Sequence, residues 1–135
     1  MIEETAIAPV DGLDRFAAPV RRIEKPWGYE VVYALTDDYC GKVLVVNRGE
    51  SLSLQYHESK DETLYLDEGI AEIEVGEERG ELSRAVVRPG ACFRIRPRTV
   101  HRLRAVTKSV FLEVSTPQLD DVVRLEDRYG RGETD

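Results

Sequence analysis

The chain has 135 residues, of which 41% are hydrophobic and 33% are charged, a composition that suits one folded domain and excludes a disordered segment. Its formal net charge of −7 argues against nucleic acid as the main partner. No apolar run approaches the roughly 20 residues of a membrane-spanning helix, so we expect no membrane partner.

The N-terminus and the cysteines indicate the compartment. The opening residues, MIEETAIAPVDGLDRF, are acidic where a secretory signal would be basic, and they lack a continuous apolar core. Cys40 and Cys92 are too few for a disulfide framework and are typical of free thiols in a reducing environment. We therefore expect a cytoplasmic protein.

Turn-forming residues divide the chain into three predicted parts. Residues 1–24 carry two prolines and a glycine among mixed polar and small residues, which predicts an N-terminal arm with room for a short helix near DGLDRFAA. Residues 25–131 form the predicted barrel domain, and residues 132–135 a frayed tail.

From GYEVVYAL onward, short runs rich in Val, Ile, Leu and Tyr alternate with turn signals such as TDD, NRGE, GEERGE and RPG. No stretch before the C-terminus has a sustained helical period. This texture predicts an all-β sandwich or a small closed barrel. The last segment, LDDVVRLEDRYGRGETD, is compatible with either a short helix or an extended strap.

Residues 51–57, SLSLQYH, alternate in the manner of a strand. The polar face carries Ser53, Gln55 and His57, so the last two side chains project side by side. After a short polar loop, Glu62 opens the next run, ETLYL. If these two strands pair, Glu62 comes close to the polar face.

The second histidine, His101, follows a proline-containing turn and opens the run HRLRAV. Together with Gln55, His57 and Glu62, it forms a candidate four-ligand site for one divalent metal per chain. Imidazole suits Zn, Fe, Mn, Co, Ni or Cu, whereas the carboxylate and the amide oxygen favour the harder ions. The alternative is that both histidines are ordinary surface residues at the edges of turns.

The spacing resembles the first cupin motif, G-x5-H-x-H-x(3,4)-E-x6-G, with Gly49 and Gly69 at its ends and Gln55 in place of the first histidine. In the second motif, G-x5-P-x-G-x2-H-x3-N, Gly90 and His101 have the expected separation. Three positions of that motif differ, and they are occupied by Arg96, Arg98 and Ala105. The resemblance implies a double-stranded β-helix, or jelly-roll, barrel.

A narrower resemblance covers Lys25 to Arg131, which is similar to the C-terminal cupin domain of type II mannose-6-phosphate isomerases, a family that includes bifunctional mannose-1-phosphate guanylyltransferases. The matching pieces are KPWGYE, GKVLVVNRGESLSLQYH, VHRL and DDVVRLEDRYGR. That family usually has glutamine at the position of Gln55, so the resemblance also implies the four metal ligands. The chain departs from the family at HES, Thr63 and the short STPQL segment, which remodels the mouth of the implied site.

The resemblance implies aldose–ketose isomerisation, in which a base moves a proton between adjacent carbons through an enediol or enediolate. The first candidate for the base is Glu113 in SVFLEVS, whose alternative role is a solvent-facing glutamate at a strand edge. Lys25, Lys42 and Arg124 are candidates for phosphate binding or for an electrostatic role, with Arg124 the catalytic candidate. Solvated surface charges are the alternative.

Two further groups of residues admit a structural or a substrate-binding role. Trp27 can stack on a sugar ring or pack against the end of the barrel. The C-terminal motif offers a polar cluster that either binds substrate or straps the chain across the barrel. Its members are Glu126, Asp127, Arg128 and Tyr129.

Three functions follow from these observations. The leading prediction is a metal-dependent sugar-phosphate isomerase of the mannose-6-phosphate type. The alternatives are a non-catalytic, metal-containing cupin that binds a sugar, and an Fe(II) cupin dioxygenase, because one fold hosts several chemistries. We expect a small-molecule substrate, a phosphosugar in the leading case, and a homodimer.

Overall fold

The computed structural model describes residues 2–5, 14–77 and 80–130. In these residues a three-residue 3-10 helix, Asp14–Phe16, accompanies twelve strands. The strands are β1 (Ile2–Thr5), β2 (Val20–Lys25), β3 (Gly28–Leu35), β4 (Cys40–Val46), β5 (Leu54–Tyr56), β6 (Glu62–Glu68), β7 (Ala71–Glu77), β8 (Ser83–Val87), β9 (Cys92–Ile95), β10 (Thr99–Ala105), β11 (Ser109–Ser115) and β12 (Val123–Glu126).

Two antiparallel sheets confirm the predicted all-β fold of the jelly-roll type. The large sheet has seven strands in the order β1-β2-β3-β4-β11-β6-β9, and the small sheet has five in the order β12-β5-β10-β7-β8. Strands far apart in sequence are neighbours, such as β4 with β11 and β5 with β10. The connections therefore pass between the sheets, as a jelly roll requires. No helix in the described ranges has the length and apolarity to cross a membrane.

The inward faces of the strands divide the interior into an apolar end and a polar end. Phe111, Leu64 and Leu66 of the large sheet are fully buried in one cluster with Leu103 of the small sheet. Burying each such side chain stabilises the fold by roughly 1.5–3 kcal/mol. At the other end of the interior, the inward-facing side chains of these sheets are polar. They include Lys42, Glu62, His101 and Glu113, all of which are buried.

The turn between β2 and β3 explains the KPWG sequence. A Cβ atom at Gly28 would lie 2.0 Å from the carbonyl oxygen of Val45, so only glycine lets this turn close against β4. The amide of Asn47 donates to the carbonyl of Trp27 at 2.9 Å. Trp27 itself is buried in the core, which agrees with a packing role, while Lys25 ends β2 beside it.

The segment predicted as an N-terminal arm contains two strands of the large sheet. β2 pairs with β3, and β1 pairs with β2 in the register Ile2↔Ile23. The 3-10 helix lies in the region where a short helix was expected. Residues 1, 6–13 and the predicted tail lie outside the described residues.

The pairing suggested for the two strands around the first motif is not formed. β5 pairs with β10 and β12 in the small sheet, whereas β6 pairs with β11 and β9 in the large sheet. The loop between them crosses from one sheet to the other. Glu62 therefore approaches His57 across the interior and not as its neighbour in a hairpin.

Candidate metal centre

Three buried side chains converge at the polar end of the interior. Oε2 of Glu62 lies 3.5 Å from Nε2 of His57, and Oε1 of Glu62 lies 3.5 Å from Nε2 of His101. One ligand atom from each residue falls within 4.8 Å of the others. Four ligands bound at about 2.1 Å in a tetrahedron are roughly 3.4 Å apart, so this spacing suits a divalent metal.

The hydrogen bonds of the two imidazole rings leave Nε2 available as a ligand. Nδ1 of His101 lies 2.9 Å from the carbonyl oxygen of Thr99, and Nδ1 of His57 contacts the carbonyl oxygen of Asp121. Because a carbonyl can only accept, each neutral ring carries its proton on Nδ1. When both rings are neutral, each Nε2 lone pair faces an oxygen of Glu62, an arrangement that a cation would stabilise.

The pKa of His57 agrees with a neutral ring. Burial lowers the pKa of His57 from 6.5 to about 4, although the charge of Glu62 acts in the opposite direction. Burial would raise the pKa of Glu62, but its contacts with His101 and the ammonium of Lys60 hold this pKa well below its ordinary value. Near neutral pH the site therefore presents a neutral His57 and a carboxylate.

Asp121, which precedes β12, anchors the loop that carries His57. Its carboxylate accepts hydrogen bonds from the amides of Glu58, Ser59 and Lys60 at 2.9, 2.7 and 2.9 Å. Burial would raise the pKa of Asp121, but these three donors hold it below its ordinary value. One residue thus fixes both the orientation of the His57 ring and the path of the loop.

A cavity of about 140 Å³ opens beside the three converging residues, roughly ten times the space that one water molecule needs. Gln55, half-buried and opposite His101 in the register of β5 and β10, lies in its wall. The structure therefore places all four predicted ligands around one cavity. The predicted substrate and catalytic residues that also line it are Lys25, Trp27, Lys42, Glu113 and Arg124.

Glu113, the predicted base, is only 3% exposed and points inward rather than into solvent. The hydroxyl of Ser115 donates to its Oε2 at 3.0 Å, and Nζ of Lys60 lies 3.1 Å from the same oxygen. Lys42 is also buried and has Oε1 of Glu30 at 3.5 Å, so an internal carboxylate accompanies this cation.

The four polar residues of the C-terminal motif lie outside the set that lines the cavity. Arg128 donates to the carbonyl of Gly49 at 2.8 Å, and the hydroxyl of Tyr129 donates to the carboxylate of Glu50. Glu126 lies 3.4 Å from Arg102, and Asp127 belongs to the turn that follows β12. These contacts fasten an extended strap across the barrel, which is the structural alternative weighed for them.

Sequence reasoning missed three residues of the site. Lys60 and Asp121 lie in polar loops, where no periodic pattern distinguishes a buried charge from a solvated one. Glu30 had a readable signal, because it alternates with the buried Val32 on β3 and therefore occupies an inward position.

Comparison with known proteins agrees with this architecture. Residues 42–115 match the cupin domain family model. KdgF from Halomonas sp. superposes with a TM-score of 0.61 at 26% identity, over 71% of this chain and 85% of KdgF. No curated protein sequence gives a significant match.

Two larger proteins contain the same fold. CapF from Staphylococcus aureus, a capsular polysaccharide assembling protein, superposes with a TM-score of 0.71 at 18% identity over 83% of this chain. Oxalate decarboxylase from Lactobacillus farciminis gives 0.67 at 16% identity over 78%. This chain spans 33% of the length of each, so the likeness concerns one domain of either protein.

Replacing either histidine with alanine is expected to reduce bound metal from one ion per chain to well below half, because each ring supplies one ligand atom. Elemental analysis after loading and desalting measures this. Glu68→Gln, which changes an exposed glutamate of β6 outside the cavity, is the control and should retain its metal. Full metal content in both His57→Ala and His101→Ala would contradict the assignment.

The low pKa of His57 predicts an acid-sensitive fold. Between pH 6.5 and 4 the imidazole of His57 is protonated in the unfolded chain but stays neutral in the folded protein. The free energy of unfolding therefore falls as pH decreases through this window. The loss approaches about 3 kcal/mol near pH 4. Urea denaturation of the metal-free protein at several pH values measures it, with His57→Gln as comparison. The same pH dependence in both proteins would disprove the attribution.

Proposed function

This chain belongs to the cupin domain family, and on that premise we propose that it is a metal-dependent sugar-phosphate isomerase of the mannose-6-phosphate type. The observation that carries the proposal is the composition of one cavity. Its wall combines the His57–Glu62–His101 cluster and a buried carboxylate, Glu113, with cationic side chains.

The resemblance to type II mannose-6-phosphate isomerases favours a phosphosugar as the substrate that binds in this cavity. Lys25 comes from KPWG and Arg124 from RLEDRYGR, and both motifs bring a cation to the same wall although they lie at opposite ends of the domain. A phosphate is bound well by such groups, since charge-assisted hydrogen bonds to its oxygens are strong. We assign the phosphate of the substrate to Lys25 and Arg124, and Trp27 to the packing beneath them.

The proton transfer is assigned to Glu113. Its carboxylate removes the proton from C2 of the aldose and returns it to C1, while the hydroxyl proton passes between the two oxygens and gives the ketose. Ser115 and Lys60 hold the carboxylate in place. Gln55, His57, Glu62 and His101 would hold the metal, which polarises the carbonyl and stabilises the enediolate oxygen when bound.

A non-catalytic, sugar-binding cupin is the second candidate, favoured by the remodelled mouth of the cavity. The short STPQL segment brings Leu119 and Asp120 into the wall, beside Val122. An apolar side chain and a carboxylate at this position suit the hydroxyls and ring faces of a neutral sugar better than a phosphate. An Fe(II) dioxygenase is the third, and oxygen consumption by the iron-loaded protein would identify it.

We also propose a cytoplasmic homodimer. Free Cys40 and Cys92 suit a reducing compartment. The outer face of the large sheet is apolar across four adjacent strands, because Val31, Val43, Leu112 and Tyr65 follow one another in register. Val114 on the same face is 60% exposed. A second copy would cover this surface.

The isomerase assignment predicts turnover of mannose 6-phosphate by protein that has been stripped with a chelator and reloaded with Mn, Co, Zn, Ni or Fe(II). Activity should require metal and disappear in His101→Ala. Glu113→Gln should lower kcat by about 10²–10⁴-fold, whereas Glu68→Gln, an exposed glutamate on β6, should not. Stoichiometric metal without turnover would reject the isomerase in favour of the binding protein.

The dimer prediction uses two valines of equal exposure on different sheets. Val114 of β11 and Val86 of β8 are each 60% exposed. Val114→Lys places charge in the proposed interface and should convert the dimer to a monomer in light scattering, whereas Val86→Lys should remain dimeric. A monomeric wild type, or a dimeric Val114→Lys, would refute the interface.

A further inference from the structure

Lys60 places an ammonium group inside the candidate metal centre. Its side chain is 5% exposed, and its Nζ lies 2.9 Å from Oε2 of Glu62 and 3.1 Å from Oε2 of Glu113. Lysine is rarely buried to this degree unless it is paired. The cavity therefore already contains a cation that joins a proposed metal ligand to the proposed base.

The ammonium is charged in this position. Burial alone would lower the pKa of Lys60, but the carboxylates of Glu113 and Glu62 together raise it above its ordinary value. Two carboxylates and one ammonium leave the described cluster with one uncompensated negative charge. A divalent ion added beside Glu62 would therefore meet a positive charge that is already bound to the same carboxylate.

The contacts of Glu62 place the Lys60 ammonium at the same carboxylate oxygen that a bound metal would use. The oxygen that lies 2.9 Å from Lys60, Oε2, is also the oxygen 3.5 Å from Nε2 of His57. The ammonium of Lys60 compensates the charge of this oxygen at contact distance. Ion pairing of this kind is long-ranged and not tied to one geometry, and Glu113 offers the ammonium a second position.

We propose that Lys60 is an internal cation that competes with the divalent metal for Glu62, so that metal binding leaves the ammonium paired with Glu113 alone. The inference rests on the metal site of the proposed function but not on isomerase activity. Lys60 offsets the repulsion between the two buried carboxylates, which lie 2.9 and 3.1 Å from its Nζ. The cost is a weaker affinity for metal.

If Lys60 instead supported the metal site, its removal would change the metal affinity in the opposite direction. If Lys60 only oriented Glu62 for the metal, its removal would weaken binding about 10–100-fold, as the loss of an outer-shell partner does. If Lys60 competes, its removal strengthens binding, since a bound ion no longer displaces or repels an ammonium. Metal affinity therefore distinguishes the two roles without reference to catalysis.

The test is Lys60→Met, measured by competition between the metal-free protein and a chromophoric chelator for Zn²⁺. We expect Zn²⁺ to bind at least about tenfold more tightly than to the wild type. Lys42→Met is the matched control, because Lys42 is an equally buried lysine in the same cavity whose partner is Glu30 and not Glu62. Its affinity should change by less than about threefold.

A second variant tests the proposal in case Lys60→Met does not fold. Lys60→Met leaves two buried carboxylates without their cation, whereas the double variant Lys60→Met/Glu113→Gln removes one charge of each sign. Zn²⁺ should bind the double variant more tightly than Glu113→Gln alone, and should raise its Tm by more. Equal or weaker binding in the variants that lack Lys60 overturns the proposal. Failure of wild type and variants alike to bind Zn²⁺ overturns the metal site itself, and with it the proposal.

Discussion

The burial of the Glu62 carboxylate is the constraint on which the rest of the site depends. A charge removed from water has to be compensated within reach of its own atoms. Lys60 approaches it from the preceding loop, and His57 and His101 approach it from the small sheet. Both histidine rings are held in turn by main-chain carbonyls, those of Thr99 in β10 and of Asp121 before β12. Elements from both sheets thus meet at one carboxylate.

Local periodicity was sufficient to predict the all-β fold class and the inward direction of several residues that line the cavity. The alternation of SLSLQYH places Gln55 and His57 on one face whatever the strand pairs with, and the same argument applies to Glu113 among the valines of β11. Strand pairing is not a local property, and the possible pairing of β5 with β6 is not formed because the loop after His57 crosses between sheets. The burial of Lys60 could not be predicted for the same reason, because it depends on the path of the loop between the two sheets.

The motifs that carry the family resemblance combine structural and chemical roles. In KPWG, the glycine is required by the close approach of Val45 and the tryptophan belongs to the core, yet Lys25 reaches the cavity. In RLEDRYGR, Arg128 and Tyr129 fasten the strap, yet Arg124 lies in the cavity wall. Resemblance alone could not separate these roles, because packing and chemistry constrain adjacent positions of one short segment.

The contacts of Asp121 have a consequence for the order in which a growing chain can mature. The ligands and the loop of the first motif are synthesised well before the strap, but His57 is oriented by a carbonyl, and its loop is held by a carboxylate, that emerge near the end of the described chain. A partly synthesised chain that ends before Asp121 lacks both the carbonyl that contacts the His57 ring and the carboxylate that holds its loop. The direction of the His57 ring therefore depends on a contact that spans 64 residues of sequence, although the ring itself lies directly after β5.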